Sequence, residues 1–129
     1  MNNSTFKLFL QAEQSFERSQ RIFFNFINSK KIFSQKQRFE IAEALLLPQK
    51  NQDITYTEYK SNIIHLCWEK LSSPYSQNHP LVKDALNDLI EFSFYSQKTN
   101  NVNMLSKIAK LTFDLKNLKN DSVTKQLER

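Results

Sequence analysis

The chain has 129 residues and no glycine, with 40% hydrophobic, 24% charged and 12% aromatic residues, eleven of them phenylalanine. Without glycine there is no Walker loop, no dinucleotide fingerprint and little scope for tight hairpins, because these need positive φ or a bare backbone against phosphate. The apolar content suffices for one packed domain, and the formal charge of +5 favours a polyanionic partner without requiring one.

That charge is uneven. Residues 1–52 carry +4, residues 53–100 carry −2 and residues 101–129 carry +3. Cys67 is the sole cysteine, so no intramolecular disulfide can form, and a reducing cytoplasm is the expected compartment. No signal-peptide core opens the chain and no apolar stretch approaches the length of a membrane span.

Hydrophobic spacing predicts an all-α fold, a single-domain bundle of about five helices over residues 1–119, followed by a disordered tail over 120–129. The first helix spans about residues 4–28, where Phe9, Phe16, Phe23 and Ile27 stack on one face and Leu8, Ile22 and Phe26 form a second strip. The second starts at Ser34, which pairs with Gln37 as a capping box, buries Phe39, Ile41, Ala42, Leu45 and Leu46, and stops before Pro48.

The third helix opens on a Thr55–Glu58 capping box with Ile54 and Tyr59 as a hydrophobic staple, carries Ile63, Leu66, Cys67 and Leu71 inward, and fades at Ser72. Pro80 suits the first turn of the fourth, whose broad apolar face includes Leu81, Val82, Leu86 and Leu89 and which reaches Phe94 and Tyr95. The fifth begins near Asn103 as cap and repeats Met104, Ile108, Leu111, Leu115 and Leu118 at coiled-coil spacing, a seam that could also serve a dimer. With glycine absent, Asn28, Asn100 and Asn120 are the expected left-handed helix ends.

Catalytic and metal chemistry find no constellation. His65 and Cys67, two apart on a helix, diverge by roughly 200° and cannot close on one ion. His65 is expected partly buried, Cys67 inert in the core, and His79 in a loop before Pro80. Neither histidine follows a glutamate by three residues, as a di-iron bundle needs. The expectation is a non-enzyme without cofactor or metal. Asp84, Asp88 and Glu91 form an acidic row opposite an apolar face, either solvated or a docking strip for a basic neighbour.

The outer face of the first helix collects Lys7, Gln11, Gln14, Arg18, Arg21, Asn25 and Asn28 with no carboxylate among them. Such a strip suits contact with a nucleic-acid backbone irrespective of sequence, and Lys30, Lys31 and Lys36 would extend it. Lys107 and Lys110 repeat the theme on the last helix. Phe113 projects away from the seam, so it either packs under the tail or another helix or anchors a partner chain. A helix-turn-helix reader fits poorly, because Glu40 and Glu43 would face phosphate.

With these features together, the chain is similar in outline to the small subunits of class 1, Cascade-like CRISPR effector complexes: helical, basic, of this size and without a catalytic centre. The resemblance is architectural and covers residues 4–119, with no motif that transfers a residue role. It implies several copies per complex, contact with a guide–target duplex or displaced strand, and neighbouring subunits including copies of the chain itself. A protein-only inhibitor or regulator, of the kind phages and plasmids encode, is the alternative.

Overall fold

The computed structural model describes the backbone of residues 3–30, 33–71 and 80–118, and the side chains of 11–28, 33–68 and 80–118. All regular structure among them is helical: α1 (Asn3–Lys30), α2 (Gln35–Leu45), α3 (Leu47–Lys50), α4 (Tyr56–Leu71), α5 (Pro80–Thr99) and α6 (Val102–Lys116). The bundle and its five longer helices agree with the sequence pattern. The predicted tail, Asn120 and His79 lie outside the described residues.

Helices α1 and α5 form the most extensive pair, α2 lies between α4 and α6, and α5 touches every other helix. One core results. Phe16, Phe23 and Ile27 from α1 meet Leu86, Leu89 and Ile90 of α5, with Ile41 and Leu45 of α2, Tyr59, Ile63 and Cys67 of α4 and Ile108 and Leu111 of α6. Each fully buried Phe or Leu contributes about 1.5–3 kcal/mol relative to exposure, so the apolar stripes fix the arrangement.

The starts follow local chemistry. Ser34 Oγ accepts from the Gln37 amide at 3.2 Å, and the Ser34 amide donates to Gln37 Oε1 at 2.8 Å. Thr55 Oγ1 accepts from the Glu58 amide, and both staple residues are buried. Asn101, not Asn103, caps α6, its Oδ1 accepting from the Met104 amide. Asn100 takes φ 59, the left-handed ending expected of it, whereas Asn28 stays helical because α1 continues to Lys30.

Several burial expectations are corrected. Phe39 and Leu81 are exposed, and so is His65. Pro48 does not end the helical path: after a break at Leu46 it is accommodated in the first turn of α3, where its missing amide costs no bond, and it is buried. The 104–115 part of the α6 seam is buried within the chain, chiefly against α2 and α5, so it is a core face and not a dimer face.

Two polar devices close the bundle. Leu45, the last residue of α2, has a carbonyl left over where the helix breaks, and it accepts from Tyr59 Oη and from Gln97 Nε2, both at 2.8 Å. Ser93 Oγ lies 2.9 Å from Tyr59 Oη and 3.1 Å from Gln97 Nε2. Arg38 performs a similar task at the other end: its guanidinium donates to the carbonyls of Phe33, Leu115 and Leu118, the last two at the C-terminus of α6.

Candidate nucleic-acid interface and its surroundings

On α1, the buried positions Phe16, Ser19, Phe23, Phe26 and Ile27 turn Gln11, Gln14, Arg18, Arg21 and Asn25 outward, and all five are exposed. Arg18 and Arg21 make no ion pair among the described residues, so the strip is cationic on its own helix, as the spacing indicates. Lys7 and Lys30 lie on the α1 backbone without described side chains; Lys31 lies outside the described residues.

Tertiary packing changes the field around the strip. Helix α5 brings Asp84 and Asp88 into a shared cleft with Ser15, Arg18 and Ser19, and Ser19 Oγ donates to the Asp88 carboxylate at 3.4 Å. On the opposite flank, Glu17 is held below the usual carboxylate range, first by a hydrogen bond from Lys107 and only weakly by Arg21. The two arginines are thus framed by Glu17 of α1 itself on one flank and by Asp84 and Asp88 of α5 on the other.

Other predicted cations are committed or displaced. Lys107 is paired with Glu17 and so ties α6 to α1. Lys110 lies 3.7 Å from Asp114 on its own helix and stays well exposed. Lys36 lines a groove between α2 and α4 and is not continuous with α1, against which α2 makes no substantial contact.

The acidic row Asp84, Asp88 and Glu91 is exposed, as expected, but it borders α1 and does not stand alone. Phe113 is 64% exposed, so it does not pack against another of the described helices; the tail lies outside the described residues. The groove beside Lys36 went unrecognised in the sequence. It encloses about 570 Å³ over a largely apolar floor that includes Phe39, Ala44, Leu47 and Leu66, with Glu40 and His65 at its rims.

The groove has a traceable origin. Lys36, Phe39, Glu40, Glu43 and Leu47 recur at helical spacing along one side of the α2–α3 path, and there Phe39 stays exposed while Ile41, Ala42 and Leu45 turn into the core. Glu43 is held at its base by Lys50 at 2.6 Å and by Lys116, which together pull its carboxyl down to about 2.

Burial pushes the Cys67 thiol up to about 12, leaving it a core side chain without thiolate character at neutral pH. No three His, Cys, Asp or Glu side chains converge among the described residues, and no described helix is long and apolar enough to cross a membrane. No family model, curated protein or solved structure matches the chain.

Proposed function

We propose that this chain is a non-catalytic small subunit of a nucleoprotein assembly that contacts nucleic-acid backbone, without sequence readout, through the outer face of α1. The observation that carries the reading is the exposure of Arg18 and Arg21 together with Gln11, Gln14 and Asn25, with no ion pair to either arginine among the described residues, while the α6 lysines are engaged within or beside the bundle. Arginines neutralise phosphates, and the amides can donate to phosphate or sugar oxygens without adding charge.

The flanking carboxylates set the strength. With two free arginines framed by Glu17, Asp84 and Asp88, each copy grips few phosphates, so contact is weak alone and effective only where neighbouring subunits hold the same strand or duplex. That arithmetic suits a component present in several copies. The small subunit of a multi-subunit CRISPR effector is the specific assignment we carry forward, supported by the all-helical architecture and the exposed outer face of the long first helix.

The test is fluorescence anisotropy of labelled duplex and single-stranded DNA and RNA across a salt series. Replacing both arginines, Arg18→Gln with Arg21→Gln, is expected to reduce the salt slope of log K by about 2 while leaving the helical signal intact. Unchanged affinity and slope would overturn the reading.

A protein-only regulator is the second reading, favoured by the 64% exposure of Phe113 and the apolar α2–α4 groove. Native purification at low and high salt, with and without nuclease, separates the two. A companion that survives nuclease and salt supports protein contact alone.

A further inference from the structure

Two outward helix faces of this molecule carry the same pattern. On α2 it is Lys36, Phe39 and Glu40; on α6 it is Lys110, Phe113 and Asp114, so each reads lysine, then phenylalanine three residues on, then an acid. All but Asp114 are classed as exposed, and Asp114 is half-buried. Neither Lys36 nor Glu40 has an ion-pair partner among the described residues, and the Lys110–Asp114 pair is an exposed, same-helix contact at 3.7 Å that little energy holds together.

Such a pattern is complementary to itself when two helices run antiparallel. The lysine of each strip then faces the acid of the other, and the two phenylalanines meet between the charged pairs. Parallel alignment would instead set lysine against lysine and acid against acid. The α2 strip edges the apolar groove, which offers floor for an incoming ring; the α6 strip presents Phe113 as a knob flanked by the small, exposed Ala109.

We propose that a second copy of this chain lays its α6 strip antiparallel along the α2 side of the groove, seating Phe113 beside Phe39, with Lys110 against Glu40 and Asp114 against Lys36. The occupant is a copy and not an unrelated helix because the chain itself supplies the matching charges at the matching spacing. One exposed aromatic entering an apolar groove inside a ring of polar pairs is the arrangement in which a few residues dominate association. Contact between two different patches also lets copies add in series, or close into a ring or a reciprocal pair. The inference stands apart from the α1 reading, since it needs no nucleic acid.

The experiment is sedimentation of the nuclease-treated full chain across a dilution series. Wild type should associate reversibly, and Phe113→Glu should weaken association at least about tenfold without loss of helical signal. Charge reversal gives the stricter test. One variant carries Lys36→Glu with Glu40→Lys, the other Lys110→Glu with Asp114→Lys. Each alone should be monomeric, because its reversed strip meets an unreversed one, while an equal mixture should associate, since both cross-contacts are then complementary.

A wild-type chain that remains monomeric at every concentration overturns the proposal. So does continued self-association of the Lys36→Glu, Glu40→Lys variant alone, which would mean that α2 strips pair with each other. Binding of nucleic acid by a strictly monomeric wild type would sink this inference and leave the α1 reading in place. Self-association without any nucleic-acid binding would do the reverse.

Discussion

The Tyr59 hydroxyl reaches across the core to the Leu45 carbonyl at 2.8 Å, joining the first turn of α4 to the last residue of α2. The carbonyl is available because the backbone breaks at Leu46 ahead of Pro48, and Gln97 shares it. Burial pushes the Tyr59 phenol well above its usual range, so it stays a neutral donor at any working pH. Removing the hydroxyl in Tyr59→Phe leaves Gln97 on both Leu45 and Ser93 but deletes two buried hydrogen bonds, for an expected cost of about 1–2 kcal/mol. Denaturant unfolding should show a lower midpoint at unchanged slope; an unchanged midpoint would mean the contact does not form.

Arg38 holds three carbonyls with one planar fork, and two of them, those of Leu115 and Leu118, lie in and just past the last turn of α6. A lysine cannot reproduce this, because a single ammonium reaches fewer acceptors at that spread. Arg38→Lys and Arg38→Ala should therefore both destabilise by about 1–3 kcal/mol, with Arg38→Lys recovering little. Amide exchange should rise first in the last turn of α6. Equal exchange in the α1 and α6 amides would argue against a local cap.

Glu43 gives the protein a pH dependence of known sign. Its carboxyl is drawn from the usual 4.5 to about 2, mainly by hydrogen bonds from Lys116 and Lys50 and then by their charge. A carboxyl depressed on folding stabilises above its unfolded value and loses that contribution as pH falls, so the effect is complete above about 4.5 and gone below about 2. Glu43→Gln should flatten thermal stability across this window at low salt. High salt should shrink the difference, because the site is exposed and screened.

Asn100 is left-handed at φ 59 where α5 gives way to α6. Asparagine tolerates this region better than residues with a bulkier or branched side chain, and glycine tolerates it best. Asn100→Ala should cost about 1 kcal/mol, and Asn100→Gly should be neutral or slightly stabilising. Midpoints in the reverse order would show that the side chain, and not the backbone, is what the site selects.

Much of the bundle was legible because helix signals are local. Ser34 and Thr55 mark starts through bonds made within four residues, Pro80 marks one through the amide it lacks, and the core stripes follow from spacing alone. What escaped was tertiary. The Leu45 carbonyl becomes a junction only when α4 and α5 arrive, although Ser93 and Gln97 continue the Leu86 and Leu89 stripe and so hinted at burial. Spacing accounts for the exposed α1 face from Gln11 to Asn25, yet two of the three carboxylates that frame it, Asp84 and Asp88, come from α5, some seventy positions away in sequence. The groove escaped for a like reason: Phe39 belongs to an apolar arc, and only packing decides which part of the arc stays open.

Among the described residues, Asn100 is the only one with positive φ, in a chain that has no glycine anywhere. The consequence reaches the unfolded state. Every residue here carries a Cβ, so the denatured chain samples fewer backbone conformations than one of average composition, and each position surrenders less freedom when a helix forms. Strain accepted at one corner is thus accompanied by a smaller entropic penalty along the remaining length. Glycine introduced into the helices would raise that penalty; introduced at Asn100, it would relieve the strain.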